Sequence, residues 1–227
     1  MFSHLVWELD AGYLFHVATI PATITDRPEI IPASYFAPLD FEAIYGNRAP
    51  LEVDLGCGDG LFIAAAAAAN PARNFLGIDR MPGRVRSASR KIELGALPNA
   101  RILEIEISYA VRNLLPAASV TVFHLMFPDP WPKRRHSPRR IVTEDFFGAL
   151  HRALASDGLV RIATDEADYF REIERLAARS PGFVKVSTRE PSESVTTFEK
   201  RFQEEGLEIH RLQLRKLSPS RNGVASQ

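Results

Sequence analysis

The stretch Leu51-Glu52-Val53-Asp54-Leu55 runs into Gly56-Cys57-Gly58-Asp59-Gly60 and then into a segment with alanine at every position from Ala64 to Ala69. An apolar run of strand length, a glycine turn and a strong helix former in sequence predict a β-turn-α unit. Alanine's small side chain also lets such a helix lie close on a sheet, and Pro71 stops it. The alternation continues. Asn74 to Asp79 reads as a second strand and Gly83 to Leu94 as a basic helix ended at Gly95. Arg101 to Glu106, Val120 to Met126 and Leu159 to Ala163 supply three more strands, and Phe183 to Ser187 and Ile209 to Leu214 two late ones. Between the fourth and fifth, Thr143 followed by Glu144 and Asp145 predicts a capped helix with an acidic first turn. Such an order predicts an α/β fold, Rossmann-like, with a mostly parallel seven-stranded sheet and helices on both faces.

Residues 46–217 form the expected domain, residues 1–45 an irregular, proline- and aromatic-rich arm, and residues 218–227 a flexible polar tail. The 227 residues carry 28 basic and 28 acidic side chains, so overall charge gives no argument for nucleic acid and any such argument must rest on local clustering. One cysteine, Cys57, excludes an internal disulfide and fits a reducing, cytoplasmic setting. No run reaches the roughly 18 apolar residues that a membrane span needs. The histidines are scattered, so no metal site is expected.

The glycine loop departs from the dinucleotide pattern. That pattern wants its third glycine at the sixth position, which here is Leu61, and Asp59 sets a negative charge where a pyrophosphate would approach. A ligand without phosphates suits it better. S-adenosylmethionine carries a sulfonium and an amino acid, so a carboxylate beside Gly56, Gly58 and Gly60 becomes an asset. Asp54 would accept from the ligand's ammonium, and Asp79, ending the second strand 19 residues after Gly60, from its ribose hydroxyls. A class I methyltransferase is the expectation, with a plain tight turn as the alternative.

The run Phe127-Pro128-Asp129-Pro130-Trp131-Pro132-Lys133-Arg134-Arg135-His136-Ser137-Pro138-Arg139-Arg140 adds the second element. It sets one carboxylate and one indole just past a strand's carboxyl end, where open α/β sheets bind ligands, directly before a cluster of cations. Three prolines stiffen it. Lys133, Arg134, Arg135, Arg139 and Arg140 suit RNA phosphates, with a merely solvated charge run as the alternative. Trp131 either stacks on a base or anchors its own loop. Asp165 either faces substrate or caps the next helix.

On the glycine loop, Phe75-Leu76-Gly77-Ile78-Asp79, the Phe127 to Arg140 run, Ala163-Thr164-Asp165 and Thr196-Thr197-Phe198-Glu199-Lys200-Arg201-Phe202, the chain resembles the bacterial tRNA (guanine-N7-)-methyltransferases. That resemblance implies methyl transfer from S-adenosylmethionine to guanosine 46 of tRNA. It implies cofactor contacts from Asp54, Asp79 and Glu106, the last at the third strand's end and facing adenine. Asp129 becomes the catalytic aspartate and borders the cofactor too. Lys133, Asp165 and Thr196, Thr197, Phe198 and Glu199 become substrate contacts. Family members commonly carry glutamate at the positions of Asp54 and Asp79, and aspartate-alanine where this chain has Glu106-Ile107. The expected partner is tRNA, with a homo-oligomer left open. The other readings are a small-molecule methyltransferase, for which the basic run is superfluous, and a noncatalytic RNA-binding relative.

Overall fold

The computed structural model describes residues 27–131, 135, 139–187, 206 and 208–217. Its centre is a sheet of eight strands in the order β1-β4-β3-β2-β5-β6-β8-β7. Strands β2 (Leu51–Leu55), β3 (Asn74–Asp79), β4 (Ala100–Glu104), β5 (Val120–Met126) and β6 (Leu154–Thr164) are the predicted core. They pair in parallel throughout, whereas β8 (His210–Lys216) joins β6 antiparallel and carries β7 (Phe183–Val186) at the edge. All six residues of β3 are buried. A parallel strand covered on both faces cannot show hydrophobic alternation, which is why these strands read as continuous apolar runs.

Helices cover the sheet where the chain predicted them. Helix α2 (Leu61–Ala69) is the alanine helix and α3 (Pro82–Leu94) begins on the proline whose fixed φ suits a first helical position. Helix α5 (Glu144–Ala153) has Thr143 as its cap, the hydroxyl accepting from Phe146 N at 3.1 Å. Its Phe146 and Phe147 are fully buried beside Phe123 of β5 and Tyr169 of α6 (Ala167–Arg179). Each such side chain contributes about 1.5 to 3 kcal/mol through removal from water.

Three expectations are corrected. Residues 29–45 are not all an irregular arm: β1 (Glu29–Ile30) pairs with β4, and α1 (Phe41–Tyr45) starts on Asp40, whose carboxylate accepts from Ala43 N at 3.0 Å. Tyr45 is buried and its hydroxyl donates to Phe75 O at 2.7 Å. The sheet thus has an eighth strand, too short to show any sequence period. The third predicted strand stops at Glu104 rather than Glu106. Beyond it, Glu106 begins the short α4 (Ile107–Tyr109), which winds on into a wider π-helical turn at Ala110–Leu114.

What positions the site is the strand order. From β2 the chain moves outwards through β3 to β4, then returns to the other side of β2 for β5 and β6. At that reversal the loops after β2 and β5 leave in opposite directions and open a crevice.

Candidate active site

The loop after β2 is shaped by its backbone. Gly56 N and Cys57 N both donate to Ile78 O, at 2.8 and 3.0 Å, which ties the loop to β3. Gly60 has φ +82°, and a Cβ there would sit 2.5 Å from Cα and Cβ of Ala88 on α3. Only glycine satisfies both the left-handed conformation and that close helix approach. Gly58 N donates to Asp79 Oδ2 at 3.1 Å. Lys91 of α3 reaches in to donate to Asp59 O at 2.7 Å and Oδ2 at 3.2 Å, so this basic-helix residue holds the loop.

Two carboxylates lie at the floor of the crevice. Asp54 is 5% exposed and Asp79 4% exposed. Asp79 is well supplied, accepting from Met81 N at 2.9 Å and Gly58 N, with Arg84 Nη1 at 3.7 Å. Among the described residues no donor reaches Asp54. Burial, and secondly repulsion from Asp79, pushes its carboxyl up to about 7. A buried carboxyl left without a partner at the wall of a cavity calls for a cationic ligand. S-adenosylmethionine's ammonium and sulfonium meet that requirement, so the residues fit the cofactor that the loop suggested. Glu106 also lines the cavity, but past the strand end: its Oε1 accepts from Ser108 N at 2.9 Å and its Oε2 from Tyr109 N at 2.7 Å. Helix-start geometry therefore fixes where Glu106 points, not a strand terminus.

One cavity of about 860 Å³ joins this floor to the loop after β5, with Asp54, Asp79 and Glu106 at one end and Asp129, Trp131 and Arg139 at the other. Phe127 and Trp131 both have positive φ, 53° and 41°. For bulky side chains that conformation costs about 1 to 3 kcal/mol each and persists where surroundings impose it. Phe127 N is tied to Ala163 O at 2.8 Å, and Asp129 stands exposed between the two strained residues.

The basic residues divide. Arg135 and Arg139 are exposed, and the Arg139 guanidinium lies 5.0 Å from the centre of the Trp131 ring. Arg140, expected as a phosphate contact, lines the cavity with a side chain 12% exposed, paired with Glu172 and stacked over Tyr169 at 4.7 Å. Asp165 is exposed past the end of β6 and is not part of the cavity wall; nor does it cap α6, whose cap position is Glu166. Lys133, Arg134 and Thr196, Thr197, Phe198 and Glu199 lie outside the described residues.

Arg112 and Thr143 are among the cavity residues that were not anticipated as such. Arg112 projects from the π-helical turn and lies 3.8 Å from Asp145, and Thr143 lines the wall while capping α5. No local pattern marks an arginine inside a π turn. Thr143 was legible only as a cap, and its nearness to the site follows from α5 starting at the strand-end level.

A mostly parallel sheet with its glycine turn after β2, paired acidic residues at the strand ends and a cavity at the reversal of strand order define a class I methyltransferase, whose methyl donor is S-adenosylmethionine. Comparison narrows this. Residues 48–212 match the profile of a family described as putative methyltransferase. The chain is 32% identical over 182 residues to the tRNA (guanine-N(7)-)-methyltransferase of Syntrophotalea carbinolica, covering 78% of each chain. It is 37% identical to the enzyme of that name from Leifsonia xyli, covering 79% of this chain and 82% of that one. The protein belongs to the tRNA (guanine-N(7)-)-methyltransferase family. Among solved structures, the 16S rRNA methyltransferase KamB superposes with a TM-score of 0.63 at 16% identity, over 88% of this chain and all of that one. The antibiotic-resistance methyltransferase Kmr gives 0.58 at 21%, over 84% and 96%. These two likenesses concern the fold alone.

Proposed function

We propose that this protein methylates N7 of a guanosine in tRNA, at position 46 on the family resemblance. The observation that carries the reading is one cavity with an unpartnered buried carboxyl, Asp54, at one end and an exposed carboxylate, Asp129, on a stiff strained loop at the other. S-adenosylmethionine, when bound, supplies a methyl group made electrophilic by its sulfonium. Asp54, Asp79 and Glu106 would hold it.

Guanine N7 has a free lone pair in the base plane at neutral pH, so no side chain has to remove a proton. The protein's task is alignment, which alone lowers a barrier by about 7 to 11 kcal/mol when two reactants are held in line. Asp129 accepts hydrogen bonds from guanine N1-H and the exocyclic amine, which adenine cannot offer in that arrangement. Its charge also favours the cation that develops on the ring as N7 is alkylated. With Arg139 over one face of its ring, Trp131 serves first as a loop anchor.

Exposed Arg135 and Arg139, with Lys133 and Arg134, hold the phosphate backbone, and Asp165 and Thr196 to Glu199 complete the substrate contacts. No helix of the described residues is long and apolar enough to cross a membrane; a tRNA substrate supports a cytoplasmic setting. The test is methylation of bulk tRNA with labelled donor followed by nucleoside mapping. The expected product is 7-methylguanosine; a different methylated nucleoside, or transfer only to small molecules, overturns the assignment.

A further inference from the structure

We propose that Arg140 is a positioning residue that clamps the Asp129 loop from beneath. The loop has an unusual shortage of its own donors. Pro128 and Pro130 carry no N-H, and the N-H of Phe127 is already spent on Ala163 O, so the carbonyls that follow Asp129 need a donor from elsewhere. Arg140 supplies it. Its Nε donates to Pro130 O at 2.7 Å and its Nη2 reaches Trp131 O at 3.5 Å, gripping the two residues after Asp129.

The guanidinium is itself fixed from α6. Glu172 pairs with Nη1, and the Tyr169 ring one turn earlier lies under the guanidinium carbon at 4.7 Å. Tyr169 is fully buried, and its hydroxyl accepts from Val142 N at 3.4 Å, which ties down the strand of chain leaving Arg140. A planar fork with several donors in fixed directions meets all these partners at once; an ammonium cannot. The loop is thereby pinned at both ends, by β6 at Phe127 and by α6 through Arg140 at Pro130 and Trp131. Two adjacent arginines thus differ in kind, Arg139 exposed over Trp131 and Arg140 half-buried against Glu172 and Tyr169.

Arg140→Lys and Glu172→Gln separate a clamp from a phosphate contact. The inference builds on Asp129 acting on guanine, so two kinds of readout are used. In single-turnover methyl transfer at saturating tRNA, both variants should lose about 10- to 100-fold in rate, the scale of a displacement of about 1 Å at reacting groups. Affinity for S-adenosylmethionine and the salt dependence of tRNA binding should stay at wild-type values. Independently of the reaction, acrylamide should quench Trp131 more in both variants than in wild type, measured in a Trp7→Phe background. A wild-type rate and wild-type quenching in Arg140→Lys overturn the clamp. So does a salt slope lowered by about 0.7 to 0.9 with the saturated rate intact, which is the signature of a lost phosphate contact. If Arg140→Lys does not fold, Glu172→Gln, which touches no RNA under either reading, decides by the same measurements. A wild-type protein that makes no 7-methylguanosine removes the assigned reaction, while the quenching comparison still judges the clamp.

Discussion

Cofactor binding should be linked to a proton through Asp54. The carboxyl is moved from its ordinary 3.8 to about 7, chiefly by burial. At ~1.36 kcal/mol per pH unit this is about 4 kcal/mol against the ionised form. Because the folded value lies above the unfolded one, Asp54's contribution to stability is whole below about pH 4 and is lost as pH rises towards about 7. His124 runs the other way. Burial lowers its value although Glu52 sits 2.6 Å from its Nε2, so its contribution is whole above its ordinary value and is lost as pH falls through the depressed one. The two trends oppose each other, which makes melting temperature a poor reporter and ligand binding a good one. If only the carboxylate accepts the ammonium, affinity for S-adenosylmethionine falls about tenfold for each pH unit below about 7, roughly 100-fold from pH 7 to pH 5. Titration calorimetry at pH 5.5 in two buffers of different ionisation enthalpy should count about one proton released. Asp54→Asn should bind more weakly at neutral pH, release none and show a flat profile. A wild-type affinity that does not change between pH 5 and 7, or an Asp54→Asn profile with the same slope, would refute the reasoning.

Asp129→Asn should keep cofactor affinity and lose about 100-fold or more in single-turnover transfer, since the amide has one acceptor and no charge for the developing cation; near wild-type turnover would remove Asp129 from the reaction. Gly60→Ala should destabilise by about 2 to 4 kcal/mol in urea unfolding, the sum of a left-handed penalty and the 2.5 Å approach to Ala88. Replacing Lys133, Arg134 and Arg135 together with glutamine should flatten the salt dependence of tRNA binding by about 0.7 to 0.9 per lost contact and leave cofactor affinity unchanged. Equal salt slopes in variant and wild type would favour the small-molecule reading.

Local chain chemistry made much of the fold readable. Six consecutive alanines, Thr143 before two acidic residues, and Pro82 at a helix start each carry their own structural instruction within a few residues. Most of the features that were misread depend on partners far along the chain, and one on the helix that starts beside it. Glu29–Ile30 becomes a strand only because β4 offers an edge some 70 residues later. Glu106 and Glu104 are both acidic and both near the end of an apolar run, and what separates them is the two N-H groups at the start of α4 that claim Glu106. Arg139 and Arg140 are indistinguishable in sequence; Glu172 and Tyr169, about 30 positions on, decide which of them is drawn inwards. The site's glycines and strand-end aspartates were legible because a turn at a strand end needs them there. The wall residue Arg112 was not, since a π turn leaves no periodic mark.

Charge in this chain is balanced overall, and within the site it is arranged by depth. Asp54, Asp79, Glu106 and Asp129 line one cavity together with Arg80, Arg84, Arg112, Arg139 and Arg140; Asp54 and Asp79 are buried, whereas Arg80 and Arg139 are exposed. The carboxylate set of the cavity, with Asp54 and Asp79 buried at its floor, opposes deep entry of a phosphate. It favours a neutral base that offers N-H donors and turns cationic on alkylation, and it favours a cationic cofactor. Arg139, exposed beside Trp131, has the opposite preference. In the proposed reaction the backbone of the RNA is therefore held outside while a base is the part that can enter, and guanine gains most because its N1-H and exocyclic amine meet Asp129 as its N7 acquires charge. The same arrangement explains how a chain with no net charge can act on a polyanion: the field that matters spans one cavity, and the other charges of the chain, such as the surface pairs Arg48–Glu42 and Lys185–Glu174, compensate one another.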